Sequence, residues 1–377
     1  MTDPSQASDA ARRAGAILTI DLGAVVANWK RLRDRVAPAE CAAVVKANAY
    51  GLGVARVAPA LAAAGCTTFF VAQLEEALAV RAAVPAARVV SLGGLPPGCA
   101  GDFTAHRIIP VLNHLGDIAA WKAHAAALGT RLPAIVHIDT GMCRLGLGPD
   151  ELDRLAGDLG RLDGIDVRLW MTHLACAEAD TAMNARQLGR FRSALGRLPA
   201  APASLANSSG IFQGSAFHFD LARPGCALYG VNPTPAAANP MLGTIRLDAR
   251  VLQVRDVDSP MTVGYGATHR VAEKGKIATI AVGYADGYAR ALSARGHVYV
   301  DGVAAPVVGR ISMDLITVAV GHLPDGAVAP GGLVELIGPH RPVDTVADEG
   351  GTIGYEILTS LGARYHRVYR DPPPEVA

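Results

Sequence analysis

A lysine at the end of a short apolar run is the first feature of this chain that could do chemistry. Residues 42–46 read Ala-Ala-Val-Val-Lys, which is typical of a buried strand that ends at Lys46. A lysine in such a place often packs its carbon chain on apolar neighbours and leaves its ammonium group in water. The alternative is a lysine whose pKa falls on burial and whose amine holds a carbonyl cofactor as a Schiff base. The strand end alone is compatible with both.

Other polar side chains also follow apolar runs. In a barrel of parallel strands, catalytic groups occupy such positions. The residues concerned are His137 with Asp139, His173, Asn207 with Ser208, and Arg223. Each also has a plainer interpretation: His173 as a hydrogen-bonded core histidine, and Arg223 in an ion pair with Asp220. His137 and Asp139 do not predict a metal site, because no third ligand follows at a usual spacing.

The elements that must position these residues alternate between strand and helix. Asp21 is a good N-cap, and apolar residues then recur at helical spacing from Leu22 to Val36. Eight apolar runs typical of buried strands follow, near residues 42–46, 67–72, 87–92, 107–112, 132–139, 167–173, 203–207 and 218–222. This alternation predicts an α/β fold, a (β/α)₈ TIM-like barrel. A doubly wound parallel sheet is the alternative that periodicity alone does not exclude.

A stretch with three prolines, 233–243, ends this alternation. Beyond it, apolar runs separated by Gly and Asp turns, such as Asp301-Gly302, predict a mostly β region. We therefore expect a barrel over 21–238 and a β-rich C-terminal domain over 239–377. The strand 16–20 precedes the first barrel helix and is expected to join the second domain.

Composition narrows the possible partners and the compartment. The formal net charge of +1 argues against a nucleic acid or an anionic membrane, since both attract basic proteins. The six cysteines are scattered without a Cys-x-x-Cys pair, which favours reduced thiols in the cytosol. The N-terminus lacks the basic and apolar segments of a secretory signal, and no apolar stretch is long enough to span a membrane. We expect a cytoplasmic protein.

The segment after the lysine, 47–53, reads Ala-Asn-Ala-Tyr-Gly-Leu-Gly and resembles the lysine motif of alanine racemases. The resemblance extends from Ile20 to Tyr369 in the order of that family. It is carried by residues 45–53, 139–146, 172–173, 206–208, 223–230, 263–266, 282–288 and 309–314. It implies a barrel that binds pyridoxal 5′-phosphate (PLP) and a second, β domain. The implied activity is interconversion of L- and D-alanine by two bases, which supplies D-alanine for peptidoglycan.

The resemblance also implies a role for each matching residue. Lys46 would hold PLP and act as one base, and Tyr265, donated by the second subunit of a homodimer, would be the other. The implied contacts of the PLP phosphate are Tyr50, Ser208, Gly225, the backbone of Cys226, and Tyr355. Arg223 would contact the pyridine nitrogen, His173 would neighbour Tyr265, Arg144 and the backbone of Met313 would bind the substrate carboxylate, and Tyr284 would line the entrance.

Two of these roles have a physical rationale. A tyrosine with an ordinary pKa near 10 is a poor base unless its surroundings lower that value, which His173 and Arg223 could do for Tyr265. A fixed cation at the pyridine nitrogen keeps that nitrogen unprotonated and limits electron withdrawal by the ring. Such restraint suits racemisation, because a carbanion that is too stable invites transamination.

This chain departs from the family at three positions. His137 replaces a lysine that is carbamylated in many members and positions the arginine that matches Arg144, so Arg144 must be oriented otherwise. Leu52 replaces a frequent histidine, and Ser312 a frequent cysteine. A racemase of serine or of broad specificity, a non-catalytic PLP-carrying barrel, and a PLP decarboxylase are the alternative functions. The second domain argues against the carrier, and the absence of characteristic decarboxylase segments argues against the lyase.

Overall fold

The computed structural model describes residues 9–179 and 181–372. The chain divides into two compact units. The barrel unit is Val25–Leu242, and the β-rich unit comprises the described residues up to Ala24 and from Gly243 onward. The domain limits expected from the sequence, 21–238 and 239–377, stay a prediction. Within the described ranges, no helix is both long enough and apolar enough to cross a membrane.

The helices and strands alternate up to Leu242, whereas strands predominate after it. Up to Leu242 they are α1 (Asp9–Arg13), β1 (Ala16–Asp21), α2 (Leu22–Val36), β2 (Glu40–Cys41), β3 (Ala43–Val44), α3 (Lys46–Tyr50), α4 (Val54–Ala63), β4 (Thr68–Val71), α5 (Leu74–Ala83), β5 (Arg88–Ser91), α6 (Ala100–Ala105), β6 (Ile108–Leu112), α7 (Leu115–Leu128), β7 (Leu132–His137), α8 (Pro149–Gly157), β8 (Ile165–Met171), α9 (Ala182–Leu195), β9 (Ala203–Ser204) and β10 (Leu221–Ala222). After it they are β11 (Ile245–Val257), β12 (Thr262–Val263), β13 (His269–Arg270), β14 (Gly275–Ile280), β15 (His297–Val300), β16 (Val303–Pro306), β17 (Ile316–Ala319), β18 (Leu333–Ile337), α10 (Val343–Gly350), α11 (Gly354–Ser360) and β19 (His366–Arg370).

The parallel strands of the barrel unit close into a ring. Strands β3 to β9 form one seven-stranded sheet in chain order, and β10 pairs in parallel with β2. The backbone N–H of Ala42 donates to the carbonyl of Ala222 at 3.0 Å, and that of Val44 to Pro224 at 2.9 Å. A further backbone hydrogen bond joins Asp220, next to β10, to Ala203 of β9. The predicted (β/α)₈ barrel is therefore confirmed, with β2 and β3 as its first stave and β10 as its last.

Burial explains why these segments form a barrel. All four residues of β4 are buried, including Phe69 and Phe70, as expected for a parallel sheet covered on both faces. Helix α2 buries Trp29 on its apolar side. Its start agrees with the sequence, since the Asp21 carboxylate accepts the N–H of Ala24 at 2.8 Å.

The last two staves are shorter than their apolar runs predict. Only Ala203–Ser204 and Leu221–Ala222 form strands, although the runs cover 203–207 and 218–222. Between them the chain forms the 3₁₀ turns Gly210–Gln213 and Ser215–Phe217. A single bridge between Asn207 and Arg223 continues the pairing beyond the strands. The staves end early because polar loops that carry candidate site residues begin there.

The β-rich unit is built on an eight-stranded sheet in the order β16-β15-β18-β11-β1-β19, with β14 and β17 joined through β11. Strand β1 runs antiparallel to β11 and parallel to β19. The mostly β character predicted for this region is confirmed, with α10 and α11 as its longer helices beyond Gly243. The predicted turn at Asp301-Gly302 joins β15 to β16, with φ of 47° and 84°. Positive φ at both positions is what a tight hairpin turn requires.

Candidate active site

The chain turns sharply directly after Lys46, at the carboxyl end of the first stave. Ala47, Asn48, Ala49 and Tyr50 have φ of 52°, 54°, 56° and 53°, which makes one turn of left-handed helix without a glycine. A left-handed conformation costs an L-residue roughly 1–2 kcal/mol. Such strain persists only where surrounding contacts hold it, and it is concentrated at functional sites.

Glu76 at the start of α5 holds this turn. Its Oε1 accepts the N–H of Ala47 at 2.5 Å, and its Oε2 accepts the N–H of Ala72 at 2.8 Å. At the other end of the turn, the Asn48 side chain accepts the N–H of Val54 at 2.8 Å. Glu76 is not among the site residues predicted from the sequence. The feature that could have identified Glu76 is its position in the first turn of a helix, where a carboxylate often accepts free backbone N–H groups.

The surroundings of Lys46 lower the pKa of its amine. Partial burial lowers the pKa of Lys46, the Arg144 guanidinium lowers it further, and Glu76 opposes them. A lysine amine must lose its proton before it attacks a carbonyl carbon or accepts a proton. The strand-end lysine therefore has the electrostatic setting of a reactive amine.

An anion cradle lies beside the first stave. The Ser208 hydroxyl accepts the backbone N–H of Gly225 at 2.9 Å and that of Ala227 at 3.3 Å. Gly225 comes so close to Tyr50 that an added Cβ would lie 2.4 Å from the phenolic oxygen. Burial raises the pKa of Tyr50, so its hydroxyl remains a donor. Hydroxyls and backbone N–H groups gathered in this way suit a phosphate group.

Arg223 is a buried cation held by neutral oxygens. It is 4% exposed, and its guanidinium donates to the Ser204 hydroxyl and, at 2.6 Å, to the carbonyl of Thr172. Burial lowers the pKa of Arg223 to about 9, which leaves it charged at neutral pH. Asp220, the ion-pair partner considered from the sequence, instead accepts the N–H of Ala203 at 2.7 Å.

Two histidines near Arg223 are neutral. Burial and then Arg223 lower the pKa of His137 to about 4 and that of His173 to about 3. The Nδ1 of His137 lies 2.9 Å from Oδ1 of Asn113, a residue that the sequence analysis missed. Asn113 follows a strand, as the recognised candidates do, but an asparagine at a strand end is not distinctive. Lys46 and the two arginines therefore supply the positive charge here.

Arg144 is exposed on a loop that is tied down by Asp139. The Asp139 carboxylate accepts the backbone N–H groups of Gly141, Met142 and Cys143 at 2.8 to 3.2 Å. Electrostatic coupling of Arg144 to Lys46, and of both to His173, places these predicted residues in one neighbourhood. The structure thus brings together the candidates of the barrel unit.

The remaining candidates lie in the β-rich unit. Tyr265 projects from a tight turn between Gly264 and Gly266, whose φ values are 76° and 71°, and it is 72% exposed. Met313 and Tyr355 are also exposed. Tyr265 is the most exposed of the large hydrophobic side chains in the described residues.

Two neighbouring residues of the same unit have structural contacts. The backbone N–H of Tyr284 donates to the carbonyl of Ser312 at 3.1 Å, next to Met313. Asp314 forms an ion pair with Arg364 at 2.7 Å on the surface.

A closed barrel with a strand-end lysine, an anion cradle and a buried arginine defines a class: barrel enzymes with a lysine-held cofactor. Family models described as "Alanine racemase, N-terminal domain" and "Alanine racemase, C-terminal domain" match residues 20–233 and 244–369. The chain belongs to the alanine racemase family.

Individual relatives agree with this assignment. Alanine racemase from Rhodospirillum rubrum is 50% identical over 95% of this chain and 96% of its own length. Alanine racemase from Acidiphilium cryptum is 53% identical over 94% and 98%. The crystal structure of alanine racemase from Bartonella henselae with covalently bound pyridoxal phosphate has a TM-score of 0.92. It is 45% identical and covers 95% of this chain and 100% of its own.

The left-handed turn predicts an unusual response to glycine. Ala47→Gly should leave the free energy of unfolding unchanged or raise it by up to about 1 kcal/mol, because glycine adopts positive φ without strain. Ala123→Gly, at an exposed position inside α7, is the matched control and should lower it by about 1 kcal/mol. Urea unfolding of both variants measures the difference. Equal destabilisation by the two substitutions would contradict the strain argument.

The buried neutral histidines predict sensitivity to acid. Below pH 6.5, the ordinary pKa of histidine, His137 and His173 become protonated in the unfolded chain but stay neutral in the folded protein. The free energy of unfolding therefore falls as the pH decreases from 6.5 to about 4. Over that interval the wild-type protein should lose about 3 kcal/mol more than His137→Gln. Chemical unfolding at several pH values tests this, with the exposed His106→Gln as control. Parallel profiles for wild type and His137→Gln would refute it.

Proposed function

We propose that this chain is a PLP-dependent alanine racemase in which Lys46 and Tyr265 are the two bases. One observation carries the proposal: a partly buried lysine with a lowered pKa closely follows the first strand of the barrel. Family membership supports it, and the Bartonella henselae relative is described with covalently bound pyridoxal phosphate. We propose a cytoplasmic location, since none of the six cysteines, all of which lie in the described residues, forms a disulfide.

The residues of the barrel unit fit PLP. The Lys46 amine would bond to the cofactor aldehyde. The cradle of Tyr50, Ser208, Gly225 and the Cys226 backbone, with Tyr355, would hold the phosphate. The Gly225 position supports this role, because a side chain there would collide with Tyr50. Arg223 would face the pyridine nitrogen. Although burial lowers its pKa to about 9, it stays positively charged at neutral pH.

When bound, PLP withdraws electrons from the substrate and weakens its Cα–H bond. Lys46 Nζ, free once the substrate amine has replaced it on the cofactor, would remove or return a proton on one face of Cα, and the Tyr265 hydroxyl would do so on the other. Arg144 and the Met313 backbone hold the substrate carboxylate. His173, neutral at its pKa of about 3, offers Tyr265 a hydrogen-bonding neighbour without adding charge. Arg223 moderates the electron withdrawal.

We propose that the active form is a homodimer in which Tyr265 of the partner subunit completes each active site. Tyr265 is 72% exposed, and Met313 and Tyr355 are exposed with it. Large apolar side chains gain hydrophobic free energy when a second copy covers them. A base that stays in water would also leave the substrate unprotected from solvent protons.

The substrate test compares L-alanine with L-serine. D-alanine formation from L-alanine, measured in a coupled assay, should exceed D-serine formation from L-serine. Borohydride should attach the cofactor to Lys46, and Lys46→Ala should abolish both the label and the activity. A label without racemisation would favour a PLP carrier, release of carbon dioxide a decarboxylase, and faster serine turnover a serine or broad-specificity racemase. A label on another lysine would reject the site.

The two-base mechanism predicts an asymmetry. With Lys46 on the D face and Tyr265 on the L face, Tyr265→Phe should slow exchange of the L-alanine α-proton with solvent by about 10²–10⁴-fold. Exchange from D-alanine, which needs only Lys46, should survive in part. NMR in deuterated water follows both rates. Tyr299→Phe, which removes a hydroxyl elsewhere in the β-rich unit, is the control. Equal slowing of both exchanges would instead indicate a packing or dimer role for Tyr265.

A further inference from the structure

Two buried polar residues stand side by side where β6 and β7 end. Asn113 follows β6 and is 4% exposed, and His137 is the last residue of β7 and is 8% exposed. Oδ1 of Asn113 lies 2.9 Å from Nδ1 of His137. Neither strand needs this bond for its pairing, so the contact calls for a separate explanation.

The backbone around Asn113 decides which way its amide points. Its Nδ2 lies 3.0 Å from the carbonyl of Leu92 and 3.2 Å from that of Val111. Reversing the amide would place an oxygen against two carbonyl oxygens and lose both of these hydrogen bonds. The Asn113 backbone is fixed too, since its N–H donates to Asp117 at 2.9 Å. Oδ1, an acceptor only, therefore faces His137.

An acceptor opposite Nδ1 determines the proton arrangement of the imidazole. Nδ1 must carry a hydrogen to make the bond, so the neutral ring keeps a lone pair on Nε2. The ring is neutral because burial and Arg223 lower the pKa of His137 to about 4. The charged groups that face it are Arg223, Asp139 and Arg144. His137 is therefore held in one tautomer, in one plane, without charge.

The loop that carries Arg144 lies on this ring. The N–H of Leu147 donates to the His137 carbonyl at 2.8 Å, which returns the loop to the end of β7. Between them, Gly146 has φ of 101° and lies close to the end of β7. A Cβ there would lie 2.8 Å from the backbone nitrogen of Asp139 and 3.0 Å from Cγ of His137. Within residues 9–179 and 181–372, nothing forms a hydrogen bond or ion pair with the Arg144 guanidinium. Its position therefore depends on the loop beneath it.

We propose that Asn113 is a positioning residue: it locks the tautomer and plane of His137, and through that ring it sets the loop that presents Arg144 to the substrate carboxylate. The carboxylate role of Arg144 rests on the proposed function, whereas the tautomer does not. The fixed His137 ring lies close to Gly146, which follows Arg144 by two residues, and in this way orients Arg144.

Histidine-selective ¹⁵N NMR of the holoenzyme tests the lock, with the His137 resonance assigned by its loss in His137→Gln. The wild type should show a protonated Nδ1 and an unprotonated Nε2 throughout pH 6 to 8. Asn113→Leu, which removes the acceptor, should give a tautomer mixture. Asn28→Leu removes another fully buried amide and should leave the His137 signal unchanged. An imidazolium or a protonated Nε2 in the wild type would overturn the proposal.

The kinetic readout separates positioning from general damage. Asn113→Leu should raise KM for alanine about tenfold with a smaller effect on kcat, because a misplaced Arg144 weakens carboxylate binding. Asn113→Gln keeps an amide oxygen for Nδ1 and an amide nitrogen for the carbonyls of Leu92 and Val111, and should retain both the tautomer and most of the KM. The wild-type spectrum decides the tautomer if the leucine variant does not fold. A changed tautomer with unchanged KM would overturn the proposal. If the wild type racemised no amino acid, the proposed function would fail while the NMR measurement still decided the tautomer.

Discussion

The hydrogen bonds that close the barrel are the contacts on which the site depends. They join the first stave to the last through Ala42 and Val44, whose N–H groups donate to Ala222 and Pro224. Lys46 follows directly on one side of this seam, and Gly225 on the other. Because parallel strands end at the same rim, the seam places a reactive amine beside an anion cradle. An open sheet with the same helices would leave these two residues at opposite edges.

The positive charge of Arg223 at this rim is not neutralised by a carboxylate. Arg223 is surrounded by hydroxyl and carbonyl oxygens, so its positive charge is solvated by dipoles and not neutralised by an anion. Burial and the same arginine lower the pKa of His137 and His173, which are therefore neutral. A site with fixed positive charge and neutral neighbours attracts phosphate and carboxylate groups. Partial burial and the nearby Arg144 guanidinium also lower the pKa of the Lys46 amine.

Local strain and local rigidity work together around the lysine. Four consecutive left-handed residues are tolerated because Glu76 and Asn48 bond the backbone at either end of the turn. The Arg144 loop is held in a comparable manner by the Asp139 carboxylate and by the hydrogen bond from the Leu147 N–H to the His137 carbonyl. In both cases a side chain outside the reaction fixes the backbone next to a residue inside it. This is how a barrel with variable loops can hold reacting groups in place.

The sequence by itself determined the features that depend on near neighbours. Apolar periodicity located the staves, Asp21 marked the start of α2, Asp301-Gly302 marked a hairpin, and the strand-end rule singled out Lys46 and Arg223. Tertiary structure alone decided the closure of the barrel, the left-handed turn after Lys46, the clamp from Glu76, and the pairing of Asn113 with His137. Residues 47–50 contain no glycine, so the sequence does not indicate their positive φ. Asp220 is close to Arg223 in the sequence, but the partners of Arg223 in the structure are Thr172 and Ser204. These outcomes depend on burial and on bonds between residues far apart in the chain, and such energies exist only once the barrel has closed.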